Sequence, residues 1–472
     1  AGLNAVLRDY QRVGLAWLQA LLRHDFGGVL ADDMGLGKTL QILAHILTEQ
    51  AAGRLDRPCL IVAPTSLLFN WRAEAARFAP GLRLTTLHGP DRARAYARLD
   101  RADVALTSYA LLTRDRERLQ AHSWHIVVLD EAQAIKNPGS QVARHAAGLQ
   151  ARQRVCLTGT PLENHLGELW SLFHFAVPGL LGGAQAFRQR FRVPIEKHDD
   201  PLRLRTLRQL VAPFLLRRTK QQAAPELPAV SEIERRVEMG EQQRELYETV
   251  RVAMQDKVRR AIERQGIEQS RVVVLDALLK LRQICCDPRL AGQLDPDGTV
   301  GSAKLELLAE MLPEALDEGR RVVLFSQFTS MLALIEAELN RRRIGFVKLT
   351  GRTRHRERPV QAFQRGEVAV FLVSLKAGGA GLNLTAADTV IHYDPWWNPA
   401  VEDQATGRAH RIGQTERVFS WRLITAGTVE ERVVALQQQK RHLIESLFDQ
   451  RSATALGADT IEHLFAPLDT PT

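Results

Sequence analysis

Gly35, Gly37, Lys38 and Thr39 stand where one apolar run, Val29 to Ala31, ends and another begins, with Leu40, Leu43, Ile46 and Leu47 at helical spacing. The glycines therefore occupy a strand-to-helix turn. At such a turn backbone N–H groups converge on an anion, and the helix N-terminus adds positive potential. Glycine lets the backbone pass close to a phosphate with no Cβ in the way. Lys38 would reach the outer phosphates of a nucleoside triphosphate, and the Thr39 hydroxyl would hold Mg²⁺. One position departs from the strict phosphate-loop pattern: Asp32 stands where that pattern has glycine. The competing reading is a tight turn ahead of a helix with a polar start.

A second pair of groups fits the same chemistry. "VVLDEAQ" (127–133) is an apolar strand that ends in two carboxylates. Asp130 is assigned to the metal and Glu131 to the base that orients or deprotonates the attacking water. "LTGTPLEN" (157–164) ends the next strand, and Thr158 and Thr160 are placed to sense the γ-phosphate. Far downstream comes "EDQATGRAHRIGQ" (402–414). If residues 399 to 410 are helical, Gln404 and Arg408 lie one turn apart on one face, with Arg411 nearly a turn further. Arg408 and Arg411 aimed at a γ-phosphate would act as arginine fingers, worth about 10³- to 10⁵-fold in rate. Taken singly, each pattern has a plainer alternative: a solvated strand end, a Gly- and Pro-rich turn, a charged helix face.

These groups need elements to carry them. "CLIVA", "VALT", "HIVVLD" and "RVCLT" read as strands alternating with helices, an α/β pattern with a parallel sheet. Residues 166–216 read as a helical insertion. "AAPELPAVSE" (223–232) reads as a linker, and Glu241 to Cys286 as helical and highly charged. A second α/β series follows in "RVVLFS", "GFVKLTG", "VAVFLVS", "TVIHYD" and "VFSWRLI", and Val429 to Phe448 reads as a terminal helix. The expected organisation is a first lobe over 1–225, a linker and helical insertion over 226–300, a second lobe over 301–428, and a C-terminal helix and tail over 429–472.

Composition bounds the rest. The 472 residues suit several domains, and 45% apolar content supports real cores. The net charge of +9 favours a polyanionic partner such as nucleic acid. Cys59, Cys156, Cys285 and Cys286 give neither a disulfide framework nor paired metal-ligand spacing, so a reducing, cytoplasmic compartment is expected. No run is long and apolar enough to span a bilayer, so no membrane partner is expected. The chain begins at Ala1 with no signal-peptide pattern, as a fragment would.

Ten blocks in order carry a resemblance. They are "LRDYQRVGLAWL" (7–18), "LADDMGLGKTLQ" (30–41), "IVAPTSLLFNW" (61–71), "LTSYALL" (106–112), "DEAQAIKN" (130–137), "LTGTPLEN" (157–164), "FLLRRTK" (214–220), "SAKLELL" (302–308), "VLFSQFTSML" (323–332) and the long run 373–414. Together they resemble the SWI/SNF-type ATPases of helicase superfamily two, which are double-stranded DNA translocases. That resemblance implies two RecA-like parallel-sheet lobes of the P-loop NTPase fold, with ATP and Mg²⁺ as cofactors. It implies that Gln11 contacts adenine, and that Asp32, an acid ordinary at its place in the family, joins Gly35, Gly37, Lys38, Thr39, Gly381 and Gln404 around the nucleotide. Double-stranded DNA is the implied partner, with DNA-bound proteins, RNA polymerase among them, as what is displaced, in a bacterial nucleoid. The implied DNA contacts are Pro64, Ser66, Asn70, Trp71, Ser108 and Tyr109 in the first lobe. In the second they are Ser326, Gln327, Thr350, Gly351, Ser374, Lys376, Gly378 and Trp397. Hydroxyls and glycine N–H groups hold phosphates without reading sequence, which suits a motor. Trp397 stays open between the core and the DNA. Gln133 stands where many members have His, and Gly407 where many have Asp. The alternatives are a strand-separating DNA or RNA helicase and an ATP-gated DNA-binding scaffold with little turnover.

Overall fold

The computed structural model describes residues 2–448 apart from 90–91, 163–164, 225–226, 229, 295–299 and 379–381. The chain divides into two units, made chiefly of residues 1–227 and 228–441. In the first, aliphatic runs become β1 (Gly28–Leu30), β2 (Cys59–Ala63), β3 (Leu84–Thr86), β4 (Val104–Ser108), β5 (Ser123–Asp130), β6 (Gln150–Leu157) and β7 (Leu215–Leu216). They pair in the order β3-β4-β2-β5-β6-β1-β7, every pairing parallel. Parallel strands need crossovers, and helices such as Asp9–Arg23, Lys38–Ala51 and Leu68–Phe78 supply cover for the sheet. Side chains alternate between two cores. Val29, Leu60, Val127 and Cys156 pack on one face, and Leu30, Ile61, Val128 and Val155 on the other.

The second unit repeats the scheme. Its strands are β8 (Val230–Val237), β9 (Val322–Ser326), β10 (Phe346–Leu349), β11 (Val370–Ser374), β12 (Thr389–His392) and β13 (Val418–Thr425), in the order β10-β11-β9-β12-β13-β8, again all parallel. Two parallel sheets with helices are the expected α/β lobes.

Three strands go beyond the sequence pattern, the first of them the three-residue β3. β7 is only two residues long, near the start of "FLLRRTK". β8 runs in register with the whole of β13, from Val230 beside Val418 to Val237 beside Thr425. Its apolar residues, Val230, Ile233 and Val237, fall at helix-like intervals, and its charges suit the edge of a sheet. The second unit therefore begins near residue 228, and the linker and helical insertion expected over 226–300 belong largely to it.

The helix Glu241–Cys286 is two helices. Gly266, at φ 76° and ψ 168°, breaks it. Lys257 meets Asp276 at 3.4 Å, and Gln243 Nε2 donates to the Ile284 carbonyl at 2.8 Å, so the arms run antiparallel. The terminal helix, Val429–Phe448, has the expected bounds. Among the described residues no helix is long and apolar enough to cross a membrane.

Candidate functional site

The carboxyl ends of β1, β5 and β6 bring the first-unit residues together. After β1 the chain turns through Gly35 (φ 89°) and Gly37 (φ 74°), both in the left-handed region that glycine enters without strain. Gly37 caps the helix Lys38–Ala51, and a Cβ there would come within 2.6 Å of Gln11 Nε2. Conformation requires glycine at this position, and a larger residue would also push Gln11 aside. Lys38 begins the helix, and its Nζ donates to the carbonyls of Asp32 (2.6 Å) and Asp33 (3.3 Å). Burial pulls its ammonium below the usual lysine range, while the Glu131, Asp32, Asp130 and Asp33 carboxylates act against that. Thr39 is the next residue of the helix.

The Asp32 carboxylate is fully buried and takes both arms of Arg218, Nε at 2.8 Å and Nη2 at 2.5 Å, with Gln41 Nε2 at 3.2 Å. Arg218 also donates to the Tyr10 carbonyl and to Gln41 Oε1 at 2.9 Å. In this structure the Asp32 carboxylate anchors the loop to "FLLRRTK". Such a bidentate pair is strong because two charge-assisted bonds share one fixed geometry. Gln11 is likewise buried. Its amide donates to the Leu36 carbonyl at 3.2 Å and accepts from the Arg8 N–H at 3.0 Å, which puts it against the tip of the same turn.

At the end of β5, Asp130 is held on three sides. Trp71 Nε1 donates to Oδ2 at 2.8 Å, the Glu131 N–H donates to Oδ1 at 2.9 Å, and the Tyr109 hydroxyl donates to the Asp130 carbonyl at 2.8 Å. Burial and then the Glu131 charge push the Asp130 carboxyl above its usual range, against the Trp71 bond. Glu131 sits in the left-handed region at φ 50°, a strained conformation for a residue with a side chain. Gln133 Nε2 donates to Glu131 Oε2 at 2.8 Å, and the Thr158 hydroxyl donates to Gln133 Oε1 at 3.2 Å. The Thr160 N–H in turn donates to Thr158 Oγ1 at 3.0 Å. Gln133 therefore links the strand ends of β5 and β6.

The donor set fits a magnesium nucleotide. Among the described residues no three His, Cys, Asp or Glu side chains converge on one point. A protein-only metal cage is not what Mg²⁺ uses, since it keeps waters and binds one or two protein oxygens together with phosphates. Asp130, desolvated beside the Glu131 carboxylate, is a carboxyl whose charge a further cation would stabilise, as Lys38 already does.

Several residues expected to meet DNA are buried in this structure. Trp71 is 2% exposed and Tyr109 is buried, and their polar atoms brace Asp130. Ser108, Ser326, Ser374 and Gly378 are buried. The Ser326 hydroxyl donates to Asp394 Oδ1 at 2.5 Å, beside the Gln327 N–H at 3.3 Å from Oδ2. A Cβ on Gly378 would lie 2.6 Å from the Phe325 ring, so this glycine serves close packing. Trp397 is half-buried with the Arg282 guanidinium 5.3 Å from its ring centroid. Lys376 and Gly351 are exposed, and Pro64, Asn70, Gln327 and Thr350 are half-buried. Gly381 and the Ser66 side chain lie outside the described residues.

In the second unit the helix Pro399–Thr406 ends before Arg408. Gln404 is on the helix. Arg408 and Arg411 follow in a turn, so their expected helical spacing does not hold. The Leu384 N–H donates to the Arg408 carbonyl at 3.0 Å, and Gln414 Nε2 donates to the Ala387 carbonyl at 2.7 Å. These bonds fix the turn to the loop before β12. Arg408 is buried and Arg411 half-buried.

Comparison with known proteins is consistent along the chain. A family model for the SNF2-related domain matches residues 10–290, and one for the helicase conserved C-terminal domain matches residues 303–413. The Bacillus subtilis protein YwqA, provisionally named an ATP-dependent helicase/translocase, is 39% identical over 98% of this chain and 51% of its own length. The yeast ISWI chromatin-remodeling complex ATPase ISW1 is 33% identical over 97% of this chain and 42% of its own. Among solved structures, the Sulfolobus solfataricus SWI2/SNF2 ATPase core in complex with dsDNA is 34% identical, covering 100% of this chain and 98% of that one at a TM-score of 0.49. The chain spans about half the length, or less, of the curated relatives it matches.

Proposed function

The chain belongs to the SNF2-related family of helicase-like ATPases, and from that premise we propose that it is a DNA-stimulated ATPase that moves along duplex DNA and displaces bound proteins without separating the strands. The observation that carries this reading is that Lys38 follows β1 and the Asp130–Glu131 pair ends β5 at the carboxyl edge of one parallel sheet, with their charges acting on one another. In open α/β sheets, ligands bind at that edge.

Each side chain has a part. Lys38 draws on the outer phosphates through the cation it already holds among four carboxylates. Glu131, held at Oε2 by Gln133, orients the attacking water and takes its proton. Gln133 also carries the Thr158 hydroxyl, so the state of the β6 loop bears on the aim of the base. Thr39 and Asp130 would hold Mg²⁺, which supplies positive charge to the phosphates. Arg408 and Arg411 are assigned the part of arginine fingers. Thr350, Gly351 and Lys376, which reach solvent, are the retained candidates for phosphate contacts in the second unit.

Steady-state ATPase rates with duplex DNA, single-stranded DNA and RNA test the proposal. The expected result is stimulation by duplex above the other two, with Glu131→Gln losing about 10²- to 10⁴-fold of it. Efficient displacement of a strand from a forked duplex would defeat the reading in favour of a strand-separating helicase.

A further inference from the structure

After β10 the chain reads Gly351-Arg352-Thr353-Arg354-His355-Arg356-Glu357-Arg358. Four guanidinium groups and an imidazole share this stretch with one carboxylate. Arg352, Arg354, His355 and Arg358 are exposed, and Arg356 is half-buried. Among the described residues none of the four guanidinium groups meets an acid or any other partner. Several other arginines of this unit do meet acids. Arg341 and Arg342 share Glu338 at 2.6 and 2.5 Å, Arg320 holds Glu318 at 2.8 Å, and Arg289 holds Asp287 at 2.7 Å.

The backbone fixes this concentration of charge. The Thr350 N–H donates to Thr353 Oγ1 at 3.0 Å, and the Thr353 N–H returns to the Thr350 carbonyl at 3.1 Å. Arg356 then caps the helix Glu357–Gln364, and Arg358 lies in its first turn. That end of a helix already carries positive potential and ordinarily attracts acids. Three arginines there repel one another and the helix end, which an anion would reverse. Beside them lies a recess of about 440 Å³, lined by Arg354, His355 and Arg358 and, on the apolar side, by Val347, Pro359 and Ala362.

We propose that Arg352, Arg354, Arg356 and Arg358, with His355, form a phosphate-binding patch that grips the backbone of duplex DNA, continuous with Thr350 and Gly351. The inference rests on the translocase reading and extends it to residues outside the recognised blocks. Phosphate is favoured over an acidic peptide by the side chain used. All four cations are arginines, whose planar fork matches phosphate oxygens two at a time. Contacts of this kind hold the duplex without reading its sequence, and each releases counterions on binding.

The test is the salt dependence of binding to a labelled duplex, measured by anisotropy for the full chain. The variant combines Arg352→Gln, Arg354→Gln, Arg356→Gln and Arg358→Gln. A comparison variant, Arg341→Gln with Arg342→Gln, removes cations that Glu338 already neutralises. Circular dichroism and Tm check that both are folded. The expected result is a log–log salt slope shallower by about 0.9 for each phosphate no longer neutralised, so by about 3 to 4 in the quadruple variant, and nearly unchanged in the comparison variant. An unchanged slope in the quadruple variant overturns the inference while leaving the translocase reading standing. So does an equal loss in both variants, or competition by polyglutamate as strong as by unlabelled duplex. A wild-type chain that binds no duplex overturns both.

Discussion

The strand ends of the first unit and the loop after β10 in the second use charge in opposite ways. In the first, nearly every polar group is already committed to another: Asp32 to Arg218, Asp130 to Trp71, Glu131 to Gln133, Gln133 to Thr158. In the second, four guanidinium groups stand without partners among the described residues. The first arrangement suits a small ligand that must be met in one geometry, because groups held before binding need no reorganisation during reaction. The second suits a polymer that must be gripped and released. Solvated arginines lose little on release, and their attraction is set by ionic strength.

The sharpest way to break that comparison is through Arg408 and Arg411. Both are charged, yet they belong with the committed groups: Arg408 is 3% exposed, and its backbone is tied to Leu384. As arginine fingers, Arg408→Ala or Arg411→Ala should each lower kcat by about 10³- to 10⁵-fold, or about 4–7 kcal/mol, with duplex affinity retained. Single-turnover hydrolysis alongside duplex titration reads both. Loss of duplex affinity with kcat intact would move these two arginines to the other side of the comparison.

Trp71 offers a middle-sized test. As a DNA contact, Trp71→Phe would weaken duplex binding. As a brace, it removes the N–H that Asp130 Oδ2 accepts and keeps most of the buried ring. A hydrogen bond to a charged group contributes about 1.5–3 kcal/mol. The expected outcome is a fall in kcat of about 10- to 10²-fold with duplex affinity unchanged. A normal kcat with weakened binding would restore the DNA assignment.

Trp71 also marks where the sequence stops being legible. Lys38, Asp130 and Glu131 are found because each sits where an apolar run stops abruptly, a local signal. Both sheets are found for the same reason. The Asp32–Arg218 pair spans 186 positions, and no local pattern joins its ends. Its one trace is an acid in a glycine's place, which asks for a buried cation somewhere. Aromatic and hydroxyl residues within the recognised blocks point to DNA by type and position in the block. Sidedness is what a block cannot give: Tyr109, Ser108 and Ser326 follow or end buried strands and turn inward. β8 is hidden by the reverse effect, since an edge strand carries charges that a linker also carries. The arginines at 352–358 are plain in the sequence, but whether acids meet them is a fact of three dimensions.

The smallest effect concerns the scaffold behind the phosphate loop. His45, in the helix that Lys38 begins, is fully buried, with Nδ1 2.7 Å from Gln19 Nε2 and Nε2 2.7 Å from Gln153 Oε1. A neutral ring protonated at Nε2 satisfies both neighbours, and burial pulls the ring down to about 4. The unfolded chain binds its proton near pH 6.5, so below that the unfolded state holds the proton that the folded state refuses. His45 therefore contributes stability above about pH 6.5 and loses it as the pH falls toward about 4. At about pH 5.5 the loss is about 1.4 kcal/mol, one pH unit below the unfolded value. Urea midpoints at about pH 7.5 and about pH 5.5 should show this fall in the wild type and a smaller one in His45→Gln. The quadruple arginine variant should keep the full wild-type fall, because guanidinium groups do not titrate in this range. Equal acid sensitivity in wild type and His45→Gln would show that the polar network behind the loop is not held in a neutral form in advance. The contrast between a prepared first-unit site and a solvated second-unit grip would then lose one of its supports.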